Sequence, residues 1–246
     1  AKKLLENGAT VFLTDIDKNS LEKTIGNLRD QFGADNIDGS LIDVSNEESV
    51  KACFNNLLNA YGGIDILVSS VGINTESSFE DTSIDLWNKN FSVLSTGYFL
   101  VSREAFKIMK NQSNGGSIIF VVSKNGIIPS KKVSSYCSAK AAEIQLSRCI
   151  ALEGAEYNIR SNVVNPDAVI KESNLWTKEL KSKRSKTYNI KVNNLENFYK
   201  NRSLLKKSVY GEDIAEAIYY FCLDSSEKST GNILNVDAGH VATFTR

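Results

Sequence analysis

The chain has 246 residues, and its 29 Lys or Arg balance 29 Asp or Glu, so the formal net charge is zero. A balanced charge gives no electrostatic reason to expect nucleic acid as a partner. The longest apolar runs are much shorter than a membrane span, so no membrane association is expected. The length suits one α/β domain, and no linker, repeat or low-complexity tract divides it. We therefore expect a single domain over residues 1–246.

Cysteine and histidine usage limits the chemistry further. Four cysteines lie in helical patterns and lack metal-ligand spacing, which favours reduced thiols and a cytoplasmic location; they are Cys53, Cys137, Cys149 and Cys222. His240 is the only histidine, which argues against a His-based triad or a zinc site. We therefore expect no metal.

Strands and helices alternate along the predicted elements. The first eight residues are typical of a helix end, with Gly8 as its stop. Strands are predicted over residues 9–14, 37–42, 64–69, 117–122, 159–164 and 232–236. Helices are predicted over 20–32, 45–61 with a capping box of Ser45 and Glu48, 83–110 in two pieces, and 212–223, and a further helix carries Tyr136 and Lys140 and extends to Tyr157. Residues up to Lys207 after the fifth strand are expected to be irregular.

This alternation predicts an α/β fold, a Rossmann-like, doubly wound parallel sheet with helices on both faces. Such a sheet opens with a strand and a glycine-rich turn that seats a pyrophosphate on a helix N-terminus. The chain begins at the helix that should follow that turn. We therefore expect the first strand and its turn to be absent from this chain and to precede Ala1. The strands at 9–14 and 64–69 should then flank a gap.

Ser123, Tyr136 and Lys140 form a candidate catalytic group. Ser123 follows the strand at 117–122, where open α/β sheets place their ligands, and Tyr136 lies 13 residues further on. Lys140 is at i+4 from Tyr136, on the same helix face. An ammonium about 4 Å from a phenolate stabilises it by up to ~4 kcal/mol at an effective dielectric near 20. We therefore expect Lys140 to lower the pKa of Tyr136 towards use as a general base. The alternative is an ordinary surface Tyr and Lys.

This spacing, with Ala141 and Ala142 after the lysine and residues 159–166 downstream, resembles the active-site signature of the short-chain dehydrogenase/reductase family. The resemblance implies an oxidoreductase that uses a nicotinamide cofactor and forms a homodimer or homotetramer. Tyr136 would be the acid/base, Lys140 would tune it and hold the nicotinamide ribose, and Ser123 would position the substrate oxygen.

Asp15 ends the second strand of the family pattern, where a carboxylate accepts hydrogen bonds from the adenosine ribose and repels a 2′-phosphate. This favours NAD over NADP, with a turn-forming aspartate as the alternative. The resemblance implies that the cofactor is bound by Asp15, Ile16, Asp43, Val44, Gly72, Tyr136, Lys140, Pro166 and Val169. Lys171 occurs where many relatives have a Thr near the cofactor phosphates, and it could serve a similar anion or be solvated.

One departure from the family pattern concerns the catalytic asparagine, whose position is occupied by Leu94. That asparagine helps to hold a water in the proton relay to the lysine. Asn90 lies one turn earlier and is a candidate substitute. Without a substitute, the loss of the catalytic asparagine would weaken proton exchange with solvent. It would leave Ser123, Tyr136 and Lys140 in place.

Residues 171–207 contain eleven Lys or Arg against three Glu, a net charge of about +8 on a neutral chain. In the family this segment is the flap over the substrate. The basic cluster of Lys178, Lys181, Lys183, Arg184 and Lys186 would attract an anionic substrate such as a sugar phosphate. A solvated surface is the alternative.

Four phrases resemble one subgroup, the dehydrogenase half of bifunctional aldolase/short-chain dehydrogenase proteins associated with rhamnulose-1-phosphate breakdown; they cover 97–106, 165–169, 197–206 and 243–246. That resemblance would place a fused aldolase domain before Ala1. The flap is also similar to that of sorbitol-6-phosphate dehydrogenases.

We therefore expect an NAD-dependent oxidoreductase that interconverts an alcohol and a carbonyl on a small hydroxyaldehyde, polyol or sugar phosphate. A sorbitol-6-phosphate-dehydrogenase-like enzyme is the first alternative. The second is a catalytically silent member that binds a nucleotide as a sensor or scaffold. Leu94 and the missing phosphate turn favour that second alternative, whereas the Ser123, Tyr136 and Lys140 group speaks against it.

Overall fold

Six strands and nine helices of the α type are found in the computed structural model, which describes residues 1–171 and 173–244. The strands are β1 (Val11–Asp15), β2 (Ile37–Leu41), β3 (Ile66–Ser69), β4 (Gly116–Val121), β5 (Ile159–Pro166) and β6 (Ile233–Val236). The helices are α1 (Lys2–Leu5), α2 (Lys18–Phe32), α3 (Glu47–Tyr61), α4 (Ile84–Asn90), α5 (Gly97–Gln112), α6 (Ser134–Gly154), α7 (Lys178–Thr187), α8 (Leu195–Arg202) and α9 (Gly211–Cys222). All six predicted strands are present within two residues of their predicted starts and ends.

All strand pairs are parallel, as the alternation of strands and helices predicts. β1 pairs with β2, and β3, β4, β5 and β6 form a second sheet in that order. The predicted Rossmann-like α/β fold is confirmed. In the described part of the chain, β1 and β3 do not pair with each other. This matches the expectation that a gap separates the two strands.

β4 is the centre of the core because both of its faces are covered. Ile118 and Phe120 pack into the cluster that also contains the buried residues of α3 and α5, whereas Ile119 packs on the opposite face with α9. This is the arrangement expected of a parallel strand whose side chains alternate between two helix layers. Gly97 allows α5 to approach the loop after β2, since a Cβ there would lie 2.7 Å from Val44 Cγ2.

The cap of α3 differs from the prediction by one residue. Asn46 Oδ1 accepts the backbone N–H of Ser49 at 2.9 Å and is therefore the N-cap. Ser45 instead donates its hydroxyl to Asp43 Oδ1 at 2.6 Å, and Glu48 pairs with Lys51. The predicted capping box of Ser45 and Glu48 is wrong because Asp43 already binds the Ser45 hydroxyl.

The flap is helical where an irregular segment was expected. α7 and α8 close on an aromatic cluster in which Tyr188 and Phe198 lie 4.5 Å apart and Trp176 and Tyr199 lie 5.5 Å apart, measured between ring centroids. Leu195 is buried in the same cluster. These apolar residues come from α8 and from the segments on either side of α7, so no single window shows a strong helical pattern. The flap is consequently a folded element with its own small core.

The remaining global features concern membranes and thiols. Within residues 1–171 and 173–244, no helix is both long and apolar enough to cross a membrane. All four cysteines are free thiols, as predicted. The His, Cys, Asp and Glu side chains of those same residues form no group of three that could bind a metal ion.

Candidate active site

The candidate site lies where the parallel strands end. Parallel pairing places the carboxyl ends of neighbouring strands at one edge of each sheet, with Asp15 opposite Leu41, Ser69 opposite Phe120 and Val121 opposite Val164. The residues predicted to act on cofactor or substrate follow these strand ends. They are Asp15, Ile16, Asp43, Val44, Gly72, Ser123, Pro166 and Val169.

Tyr136 lies in the first turn of α6 and is 4% exposed. Ser123 begins a short 3-10 turn after β4, and its Oγ accepts the backbone N–H of Asn125 at 3.2 Å. A hydrogen bond from Ser123 lowers the pKa of Tyr136, but burial of the phenol is the larger effect and raises that pKa above its ordinary value. The Ser123 hydroxyl therefore lies next to the Tyr136 phenol.

Lys140 is 2% exposed, and its ammonium makes three hydrogen bonds within the protein. Nζ donates to Glu143 Oε2 at 2.9 Å, to the Val121 carbonyl at 3.4 Å and to the Tyr98 hydroxyl at 3.5 Å. It lies 6.0 Å from the centroid of the Tyr136 ring. The expectation that Lys140 lowers the pKa of Tyr136 is wrong for this arrangement, because the ammonium is bound to Glu143 and burial dominates at the phenol.

Tyr98 is a member of this group that the sequence analysis missed. Its hydroxyl lies 3.0 Å from the Val71 carbonyl and 2.8 Å from the Val121 carbonyl, to which it donates. These carbonyls follow β3 and end β4, so one buried phenol joins the ends of two neighbouring strands. Burial raises the pKa of Tyr98 well above its ordinary value, which keeps the phenol neutral. Tyr98 thus holds the ends of β3 and β4 together beside Lys140.

Glu143 is the second residue that was missed. It is 0% exposed and pairs with Lys140, and burial raises the pKa of its carboxyl to about 8 although the lysine opposes the shift. A signal was available in the sequence. Glu143 is at i+3 from Lys140, a spacing that places two side chains on the same helix face.

Leu94 lies in a local distortion of the long helix region. Residues 91–96 form a π-helical segment between α4 and α5, and such segments are frequent at functional sites. Leu94 is 0% exposed and packs against Tyr136, Val133 and Ala139. The distortion is therefore present, but the side chain at its centre is apolar.

Asn90 is buried and hydrogen-bonded through its amide nitrogen. Its amide nitrogen donates to Thr75 Oγ1 at 2.8 Å, to the Leu86 carbonyl at 3.0 Å and to Ser135 Oγ at 3.1 Å. The bond to Ser135 connects α4 to the start of α6, next to Tyr136. The suggestion that Asn90 substitutes for the asparagine at the lysine stays a prediction: its amide nitrogen is used at these three bonds, whereas its Oδ1 is buried without a hydrogen-bond partner among the described residues.

The residues predicted at the adenosine side lie open at the strand ends. Asp15 is exposed, and its Oδ1 accepts the backbone N–H of Asp17 at 2.9 Å; Ile16 is 70% exposed. Asp43 Oδ1 is bound by Ser45, and Val44 is buried against Gly97. Asp15 thus also has the turn-forming contact that was considered as its alternative role.

The residues predicted at the nicotinamide side are more enclosed. Val169 packs with the α9 layer, after Pro166. Asp167, at the usual glycine position of that turn, forms a buried ion pair of 2.7 Å with Lys124. The Lys171 side chain is 57% exposed and pairs with Glu196 at 3.2 Å within the flap.

A dinucleotide fits the residues that are present at these strand ends. The Asp15 carboxylate is exposed and keeps oxygen capacity to accept from ribose hydroxyls. A Cβ at Gly72 would meet only Leu175 Cδ1, at 3.8 Å, so the backbone there can be approached closely. Asp15, Asp43, Val44 and Gly72 are therefore the residues that would contact its adenosine half.

Comparison with known proteins defines the class. A family model described as Enoyl-(Acyl carrier protein) reductase matches residues 1–241. The chain therefore belongs to the short-chain dehydrogenase/reductase family of oxidoreductases. It is an enzyme of the kind that acts on CH–OH groups.

Particular relatives narrow the comparison. The uncharacterized oxidoreductase YuxG of Bacillus subtilis (strain 168) is 44% identical over 245 residues, which is 100% of this chain and 36% of that protein. The chain thus spans little more than a third of this relative's length. The crystal structure of sorbitol-6-phosphate 2-dehydrogenase SrlD from Erwinia amylovora is 26% identical, with a TM-score of 0.92 over 97% of this chain and 92% of that one. The structure of ElxO with NADP bound is 25% identical, with a TM-score of 0.83 over 98% and 90%.

Proposed function

We propose that the chain interconverts an alcohol and a carbonyl on a small hydroxyaldehyde, polyol or sugar phosphate, with NAD as the cofactor. The observation that carries the proposal is the contact of Ser123 with Tyr136 and the burial of Lys140 one helical turn away, all at the carboxyl edge of a parallel sheet. Membership of an oxidoreductase family supports the reaction class.

Each member of the trio has a distinct task in this proposal. Tyr136 gives a proton to the substrate oxygen during reduction and takes it back during oxidation. Ser123 donates a hydrogen bond to the same oxygen and fixes its distance from the phenol. Lys140 supplies positive charge next to the proton transfer and contacts the nicotinamide ribose. The cofactor, when bound, supplies the hydride chemistry.

NAD is proposed over NADP because of Asp15. The exposed carboxylate at the end of β1 can accept from ribose hydroxyls and would repel a 2′-phosphate. Ile16 would cover the adenine side, and Pro166 and Val169 would border the nicotinamide. The ElxO structure contains NADP, so this fold also accommodates a 2′-phosphate, and in our proposal Asp15 provides the discrimination.

A phosphorylated substrate is proposed from the flap charges and from the similarity to a sorbitol-6-phosphate dehydrogenase. Lys178, Lys183 and Lys186 are exposed on α7. Arg184 does not belong to this surface, since it is buried and donates to the Lys131 carbonyl at 2.9 Å. The basic cluster on the flap surface therefore consists of Lys178, Lys181, Lys183 and Lys186.

A substrate panel tests the proposal. Sorbitol 6-phosphate, other sugar phosphates, unphosphorylated polyols and lactaldehyde would each be mixed with the full-length protein and NAD or NADH, with nicotinamide absorbance as the readout. We expect turnover with at least one member and a preference for NAD. The absence of turnover over the whole panel with both NAD and NADP would contradict the proposal.

A catalytically silent nucleotide-binding protein is the second candidate. It is favoured by Lys140, whose three donors are all bound within the protein, and by the apolar Leu94 next to Tyr136. Such a protein would bind NADH, seen as a change in nicotinamide fluorescence, and turn over no substrate. The panel and the binding titration together separate the two candidates.

The assembly is proposed to be a homodimer or homotetramer in the cytoplasm. α5 and α6 border a groove of about 190 Å³ lined by Phe99, Phe106, Leu146 and Ile150, and Leu152 of α6 is exposed. A second copy would cover this apolar face, and sedimentation of Leu152→Lys against the wild type would report it.

A fused aldolase domain remains a proposal, supported only by the greater length of YuxG.

A further inference from the structure

Glu143 is a fully buried carboxyl group next to the lysine of the proposed catalytic trio. Its Oε2 accepts a 2.9 Å hydrogen bond from Lys140 Nζ, and its Oε1 is buried without a hydrogen-bond partner in the described part of the chain. Burying a carboxyl group costs several kcal/mol unless pairing offsets the loss of solvation. Ionisable groups kept in such positions cluster at functional sites.

The bond to Glu143 is the one that fixes the ammonium. Lys140 has three N–H donors, and the two directed at the Val121 carbonyl and the Tyr98 hydroxyl are long, at 3.4 and 3.5 Å. Both of those acceptors are neutral, whereas a hydrogen bond between an ammonium and a carboxylate is shorter and stronger. A ligand that needs a donor from Lys140 can therefore displace one of the long bonds while the Glu143 bond remains.

The charge at this point depends on Glu143 as well as on Lys140. The titratable groups that face Glu143 are Lys140 and Tyr136 on its own helix and Tyr98 on α5. With an ionised carboxylate the pair carries no net charge, and with a protonated carboxyl it carries one positive charge. Only the positive pair stabilises a phenolate at Tyr136, since a carboxylate repels it.

We propose that Glu143 is the positioning residue of Lys140: its carboxyl fixes the ammonium, and the charge of the Lys140–Glu143 pair governs how readily Tyr136 exchanges its proton. The role rests on the function proposed above. In this proposal the polar group beside Lys140 is the Glu143 carboxyl on α6. Leu94, in the π-helical segment, supplies none because it is apolar.

Two replacements separate the charge of Glu143 from its hydrogen bond. Glu143→Gln keeps the size and an acceptor for Lys140 and removes the charge. Glu143→Leu removes both. Glu156→Gln, an exposed carboxyl just beyond the end of α6, is the matched control. Each folded variant of the full-length protein would be assayed for kcat and kcat/KM of alcohol oxidation across pH.

We expect Glu143→Gln to keep turnover and to lower the apparent pKa of the catalytic base by about one unit, the size typical of losing a nearby like charge. Glu143→Leu should lower kcat at least about tenfold, because it leaves Lys140 without a fixed position and without its counter-charge. Glu156→Gln should match the wild type. If Glu143→Gln and Glu143→Leu both keep the wild-type pH profile and kcat, Glu143 only fills space and the proposal is overturned.

An infrared titration tests the same pair without turnover. The wild type should show the carbonyl-stretch band of a protonated carboxyl that is lost on raising the pH, and Glu143→Gln should lack it. In Lys140→Met the band should persist to higher pH, because the lysine lowers the pKa of Glu143. Identical spectra for wild type and Glu143→Gln would overturn the proposal. A wild type that shows this coupling and turns over no substrate would overturn the dehydrogenase function alone.

Discussion

Glu143→Gln should make the protein gain stability relative to the wild type as the pH rises. Burial raises the pKa of the carboxyl from 4.5 to about 8 in the folded protein. The folded state therefore binds this proton more tightly than the unfolded state does. The stability that the proton contributes is fully present below about pH 4.5 and is lost as the pH rises through about 8. Glutamine has no titratable proton, so the stability of the variant does not fall in this way as the pH rises.

The size of the effect follows from the shift. A change from 4.5 to about 8 is roughly 3.5 pKa units, and at about 1.4 kcal/mol per unit this gives an upper bound on the order of 5 kcal/mol. Urea unfolding at pH 5, 7 and 9 would give the free energy of unfolding of Glu143→Gln, Glu156→Gln and the wild type. We expect the difference between Glu143→Gln and the wild type to grow by several kcal/mol between pH 5 and 9. Parallel curves over that range would refute the reasoning, because they would mean that Glu143 does not change its protonation within the folded protein.

Three further changes test the rest of the site. Asp15→Ala should narrow the preference for NAD over NADP by about fivefold, the factor for roughly 1 kcal/mol of exposed charge repulsion. An unchanged ratio of the kcat/KM values for NAD and NADP would mean that Asp15 does not contact the ribose. Replacing Lys178, Lys181 and Lys186 with Gln should lower kcat/KM for a phosphorylated substrate only. Raising salt from 0.05 to 0.5 M, which shortens the Debye length from about 14 to about 4 Å, should have the same effect. An equal fall in kcat/KM for lactaldehyde would mean that the lysines form only a solvated surface. Gly126→Ala should cost about 2 kcal/mol of stability, since its Cβ would lie 2.7 Å from a side-chain atom and 2.9 Å from a backbone oxygen of α6; an unchanged melting temperature would contradict this close approach.

The strands could be predicted because their signal is local. An apolar, β-branched run such as residues 117–122 is sufficient to indicate a buried strand, and parallel order follows from the helices between the strands. The flap helices escaped prediction because their apolar partners, including Trp176, Tyr188 and Tyr199, meet only in three dimensions. Charged residues fill the sequence between these partners.

The candidate site was predicted where helix geometry alone determines it. The i and i+4 spacing puts Tyr136 and Lys140 on one face of α6, and the strand end brings Ser123 to the phenol. The electrostatics could not be predicted in the same way. The sign of the pKa shift at Tyr136 depends on burial, and the contacts of Lys140 depend on Tyr98 and Glu143, whose burial only the packed structure reveals.

The most direct measurement of the proposed chemistry compares Tyr136→Phe with the wild type. The full-length proteins would be assayed at the nicotinamide absorbance with the best alcohol from the panel, and their NADH affinity would be measured by fluorescence. Removal of one hydroxyl from the proposed acid/base should lower kcat by about 10²–10⁴-fold, the usual contribution of a positioned acid–base group, with little change in NADH binding. A variant that keeps more than about a tenth of the wild-type kcat would contradict the assignment of proton transfer to Tyr136.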